Sequence, residues 1–126
     1  MAGPMDPTFA RYQLKAYQRL AAKMADFRLC NLNNEMLQDR LVGQMRLLVQ
    51  EFYSLSLFLD YNTRMAFETN VSRPIRRELG QSNMGDNTSR DACLEVYWEV
   101  CVALTEIILP TAEEFLNQKY NYPFLA

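Results

Sequence analysis

Apolar residues recur every three to four positions along most of this chain, and this period is the strongest constraint on its fold. In the second quarter of the chain the spacing alternates between four and three, as in an α-helix that packs against other helices. The apolar residues at these spacings are Leu37, Leu41, Met45, Leu48, Phe52, Leu55 and Leu59. Only four glycines and five prolines interrupt 126 residues, which favours long elements over short strands joined by turns. The sequence therefore predicts an all-α fold.

Start and stop signals divide this helical pattern into separate elements. Asp6 and Pro7 predict the start of the first helix, because Asp caps a first turn and Pro loses no needed hydrogen bond there. A boundary is also expected near Asp60. Pro74 and Pro110 each predict the end of one helix and the start of another. These signals together predict a compact bundle of about five to six helices.

Two of the predicted helical segments, 47–61 and 90–109, are apolar on nearly every side. A helix without a polar face must be surrounded, and a bundle of this size can usually surround one such helix. We expect these two segments to form the centre of the bundle. The excess apolar surface further predicts a second chain that covers it, as a homodimer, a higher oligomer or a complex with another protein.

The length fits a single domain over residues 1–126. Within it, residues 1–6 are predicted to be an N-terminal extension, 80–88 a flexible loop and 120–126 an extended tail. Acidic residues interrupt the longest apolar stretches, so no membrane span is expected. The first residues lack the pattern of a secretory signal, and the odd number of cysteines, three, favours free thiols. An intracellular protein of the cytoplasm or nucleus is predicted.

The absence of histidine from the sequence limits the chemistry that this chain can perform. Histidine is the commonest general base and a frequent zinc ligand. The sequence also contains no glycine-rich phosphate loop and no Cys-x-x-Cys motif. Its paired acids, such as Glu113 with Glu114, fit solvated helix faces. We therefore expect no enzymatic activity, no metal site and no cofactor.

Trp98 is the single tryptophan and the sharpest candidate for a partner-binding residue. At about 100° per residue, it lies beside Val102 at the border of an acidic stripe. The stripe consists of Asp91, Glu95, Glu99 and Glu106. Large aromatic rings at such a border are typical interface anchors; the alternative is a ring packed under a loop or under the tail. The predicted partner-binding residues are Trp98, Glu95, Glu99, Val102, Tyr122 and Phe124.

A basic row on the first helix suggests a second class of function. The row consists of Arg11, Lys15, Arg19 and Lys23, each four residues from the next. It is interpreted as a solvated surface, as a nucleic-acid-binding face, or as the counterpart of the acidic stripe within the fold or between two copies. The net charge of −2 gives no general attraction to nucleic acid, and Tyr12 is the one aromatic residue near the row.

The sequence thus favours a non-enzymatic protein–protein interaction module or adaptor subunit that self-associates. One form of this hypothesis is a host-interaction factor of viral origin, since helical bundles of this size occur among such proteins. That analogy is drawn at the level of the fold and says little about function. Nucleic-acid binding by the basic row is the alternative function.

Overall fold

The computed structural model describes residues 6–30, 37–80 and 90–121, and within these ranges the chain forms four helices and no strand. The helices are α1 (Pro7–Arg28), α2 (Leu37–Leu55, extended by a 3₁₀ turn at Ser56–Phe58), α3 (residues 61–80) and α4 (residues 90–120). The predicted all-α bundle is confirmed. The predicted count of five to six helices is wrong. The helix continues through Pro74, and another helix continues through Pro110.

A π turn before each proline explains why these helices continue. In α3 the π turn spans Glu68–Ser72, and the N–H of Arg73 donates to the carbonyl of Glu68. In α4 it spans Leu104–Ile108, and the N–H of Leu109 donates to the carbonyl of Leu104. Each proline therefore enters the first turn of a new α-helical segment, where its missing N–H is tolerated. The prolines shift the hydrogen-bond register and do not end the helix.

Aspartate caps set two of the helix starts. Asp6 precedes Pro7, and its Oδ1 accepts from the N–H of Thr8 at 2.9 Å. Asp60 precedes α3, and its Oδ2 accepts from the N–H of Thr63 at 3.2 Å. Each cap satisfies an N–H that a helix terminus leaves without an internal partner. The boundaries predicted at Asp6 and near Asp60 are confirmed.

The core lies between α2 and α4, which pack against each other and are flanked by α1 and α3. The Phe52 and Phe67 rings stack with centroids 4.1 Å apart, and the Phe27 ring lies 5.0 Å from that of Tyr97. These four rings are almost completely buried. Each buried large apolar side chain contributes about 1.5–3 kcal/mol to folding, so the first pair stabilises the packing of α2 on α3 and the second that of α1 on α4.

A buried glutamine joins the beginning of α1 to the end of α4. The Nε2 of Gln13 donates to the carbonyl of Phe58 at 2.6 Å. Its Oε1 accepts from Lys119 Nζ at 3.0 Å and from the hydroxyl of Tyr120. Both the nitrogen and the oxygen of this side-chain amide are therefore hydrogen-bonded, as a buried polar group requires.

The predicted termini and loop lie mostly outside the described residues. Gly80, assigned to the loop by prediction, is the last helical residue of α3, and Tyr120, assigned to the tail, is the last of α4. Over the described ranges, no helix is both long enough and apolar enough to cross a membrane.

Candidate protein-interaction site

An open groove with a volume of about 510 Å³ lies between the C-terminal end of α1 and the middle of α4. Its α1 side consists of Ala25, Arg28 and Leu29, and Leu29 is 82% exposed. Its α4 side contains Trp98 and Val102, and both are more than half exposed. Concave surfaces lined by exposed apolar groups are typical of binding sites. We call this surface the α1–α4 groove.

Trp98 is held in place by the buried residue beside it. Its ring lies edge-on to that of Tyr97, with centroids 5.2 Å apart. The hydroxyl of Tyr97 donates to the carbonyl of Arg28 at 2.9 Å, which fixes this part of α4 to the end of α1. Trp98 itself is 56% exposed. The Trp98 ring therefore lies at the surface against the ring of a buried neighbour.

The acidic residues predicted beside Trp98 are at the surface. Glu95 and Glu99 are both exposed. Glu99 Oε2 lies 4.0 Å from Arg77 Nη2 of α3, and both side chains are about half exposed. An exposed pair at this distance contributes little to stability. Glu106, at the far end of the same helix stripe, lines the α1–α4 groove. The predicted residues Tyr122 and Phe124 lie outside the described residues.

None of the residues of the basic row of α1 lines this groove. Arg11, Lys15 and Arg19 are exposed and Lys23 is half-buried. Arg19 Nη2 pairs with Glu51 Oε1 of α2 at 2.8 Å. Within the described ranges the basic row forms no ion pair with the acidic stripe of α4. Nucleic-acid binding by this row stays a prediction.

The thiols near the groove are poor nucleophiles. The three cysteines are free, and Cys101 lines the groove. Burial raises the pKa of the Cys101 thiol and of the buried Cys93 thiol above their ordinary value. Both therefore stay protonated at neutral pH, and the thiolate is the reactive form. In the part of the chain that the structure describes, no three acidic or cysteine side chains gather where they could hold a metal ion.

Two of the predicted partner-binding residues, Trp98 and Val102, line the α1–α4 groove, whereas Glu95 and Glu99 do not. Ala25, Arg28 and Leu29 line it, yet none of them was a predicted site residue. An apolar Leu29 directly after the last basic residue of α1 is a weak signal, because single exposed leucines are common. These residues line the groove because the hydrogen bond from Tyr97 to the carbonyl of Arg28 holds the end of α1 against α4.

These features define an all-α bundle with an exposed aromatic residue on a helix–helix groove. No protein-family model, no curated protein and no solved structure matches the chain. The chemistry of the site itself is therefore what indicates its function.

Proposed function

We propose that this chain is a non-enzymatic protein-interaction module that associates with a second copy of itself through the α1–α4 groove. The observation that carries the proposal is the exposure of Trp98 beside Val102 on an open apolar groove. Tryptophan is enriched among residues that dominate binding energy. Its free thiols favour a reducing compartment, the cytoplasm or the nucleus.

The surplus of apolar surface on α4 supports association. Trp98, Val102 and Ile107 are all exposed large apolar side chains on this one helix. Exposed apolar surface costs free energy in water, at about 25 cal/mol per Å². A second chain that covers Trp98 and Val102 would recover part of that free energy.

Charge complementarity supports a second copy as the occupant. The exposed acidic stripe of α4 and the exposed part of the basic row of α1 carry opposite charges. In a two-fold dimer the same surfaces are used twice, so the acidic stripe of each copy can face the basic row of the other. Exposed Ala22 and Ala25 on α1 allow close approach of the α4 of the other copy.

The substitution Trp98→Ala tests this proposal. We expect the dissociation constant for self-association, measured by sedimentation equilibrium, to rise by about tenfold or more, as for an interface anchor. The free energy of unfolding, measured on the dissociated chain in urea, should change by about 0.5 kcal/mol or less, as for an exposed position.

Leu57→Ala is the matched control, because Leu57 is 78% exposed and does not line the α1–α4 groove. Its self-association should equal that of the wild type. A Trp98→Ala protein that associates normally would refute the proposal. Equal losses of association and of folding stability would also refute it, since they would place the ring in the core.

A further inference from the structure

The α1–α4 groove carries one positive and one negative side chain. Along α4 it extends from Trp98 to Glu106, which is about 12 Å at 1.5 Å per residue. Along α1 it extends from Ala25 to Leu29. Among the described residues that line it, Arg28 is the cation and Glu106 is the carboxylate. Both are exposed, so a partner chain can reach both.

The two charges lie at opposite ends of the groove, because α1 and α4 run antiparallel. Gln13 near the start of α1 is hydrogen-bonded to Lys119 near the end of α4. At the other end of α1, the carbonyl of Arg28 accepts from the hydroxyl of Tyr97, so residue numbers rise along α1 as they fall along α4. Arg28 is therefore at one end of the groove on the α1 wall, and Glu106 is at the other end on the α4 wall.

Neither charge is compensated within the fold. Over the described ranges, neither Arg28 nor Glu106 forms an ion pair with another residue. Between them the groove presents the exposed apolar side chains of Leu29, Trp98 and Val102. Charges at the edge of an apolar surface orient a partner and raise the specificity of its binding. The groove therefore offers a partner an apolar centre and two opposite charges.

A two-fold axis in the plane of the interface can pair each charge with the opposite charge of a second copy. In a two-fold dimer the same patch faces itself. The axis that does this passes midway between Arg28 and Glu106, at right angles to the line that joins them. It brings Arg28 of each copy opposite Glu106 of the other. Two identical ion pairs then form, one at each end of the shared interface.

The same axis brings the two Trp98 rings together. Trp98 is on the α4 wall at the Arg28 end of the groove, so it lies to one side of the line from Arg28 to Glu106. That side is the direction in which the axis runs. A residue close to a two-fold axis meets the same residue of the other copy. The dimer then has an aromatic pair inside the interface and charge pairs at its edges, as in other protein interfaces.

We infer that Arg28 and Glu106 form reciprocal ion pairs between two copies of this chain and thereby select a second copy as the partner. The inference rests on the proposed self-association and names the residues that give it specificity. A different chain that lacks this pair of charges would leave one of them facing no charge or a like charge, which weakens binding.

Charge reversal at each position tests the inference, with self-association measured by sedimentation equilibrium at low salt. In Arg28→Glu two carboxylates face each other at each end of the dimer, and in Glu106→Arg two guanidinium groups do. Each variant should therefore raise the dissociation constant by about tenfold or more. The double variant that carries both changes restores both pairs with the signs exchanged, and it should associate as the wild type does.

An equimolar mixture of the two single variants separates pairing between copies from pairing within one copy. In a mixed dimer one copy has carboxylates at both positions and the other has guanidinium groups at both, so both ion pairs form. We expect the mixture to associate about tenfold more tightly than either variant alone. If Arg28 and Glu106 paired within one chain instead, mixing would restore nothing.

Arg73→Glu and Glu114→Arg are the matched controls, because both residues are exposed and neither lines the groove. Each control should self-associate as the wild type does. Single variants that associate normally, or a mixture no better than its components, would overturn the inference; the proposed self-association would still stand if Trp98→Ala weakens it. A wild-type chain that stays single at every concentration would instead refute the proposed function and this inference with it.

Discussion

Tyr17 joins α1 to the start of α3 through one hydroxyl group. The hydroxyl donates to the carboxylate of Asp60 and accepts from the backbone N–H of Asp60 at 2.8 Å. The ring is fully buried and stacks on Phe115 of α4, with centroids 5.5 Å apart. Three helices therefore meet at a single side chain.

The substitution Tyr17→Phe should lower the free energy of unfolding by about 1–3 kcal/mol at neutral pH. The reason is that the N–H and the carboxylate of Asp60 would lose a buried partner. Urea unfolding followed by circular dichroism measures this change. Tyr12→Phe is the control, because Tyr12 is 52% exposed, and its stability should match the wild type. Equal effects of the two substitutions would contradict the account of Tyr17.

The same residue predicts the response to alkaline pH. Burial raises the pKa of Tyr17 and that of Tyr97 above the ordinary value of tyrosine, about 10. The folded chain then keeps protons that the unfolded chain releases. The contribution of these tyrosines to the free energy of unfolding is therefore fully present below about pH 10, and it is lost as the pH rises further. Urea unfolding at a series of pH values should show a shallower decline for Tyr17→Phe than for the wild type, and equal declines would contradict this assignment.

The two π turns mark where the sequence alone misplaced the elements. Pro74 and Pro110 were interpreted as helix ends, since a proline inside a regular α-helix clashes with the preceding turn. The missed signal is a run of buried residues at a strict spacing of four, where a regular helix alternates three and four. In α3 these residues are Thr63, Phe67, Val71, Ile75 and Leu79, and in α4 they are Leu104, Ile108, Ala112 and Leu116. The π turn in each run is wider than an α-helical turn, so it keeps these residues on one face of the helix.

Deletion of Thr105 tests the link between π turn and proline in α4. Removing one exposed residue from the turn should restore regular α-helical hydrogen bonds in front of Pro110. The proline ring would then clash with the preceding turn, and unfolding free energy should fall by about 3 kcal/mol.

The rescue experiment for this deletion is the double variant that also carries Pro110→Ala. Pro110 is exposed, so its replacement leaves no cavity. Thermal or urea unfolding should show that most of the lost stability returns. If the double variant is no more stable than the single deletion, the π turn does not serve to accommodate the proline.

At the scale of the whole molecule, sequence reasoning predicted the class of fold and named two residues, Trp98 and Val102, that line the α1–α4 groove. Helical periodicity and Asp caps are local signals, so the all-α bundle could be predicted. The α1–α4 groove depends on how Tyr97 contacts the carbonyl of Arg28, sixty-nine residues apart in sequence. Such pairings between distant residues follow from tertiary packing, which no local pattern encodes.

Under the proposed function, the chain holds two copies of itself together by burial of apolar surface and by charge pairing. The surface that carries this proposal is the one around Trp98.

The fluorescence of Trp98 tests that claim most directly, because it is the only tryptophan in the chain. Emission and acrylamide quenching are measured over a dilution series whose molecular mass is followed by sedimentation. We predict solvent-exposed emission and ready quenching for the single chain, then a blue shift and protection from acrylamide as the mass doubles. Emission that stays unchanged while the mass doubles, or a single chain at every concentration, would contradict self-association through Trp98.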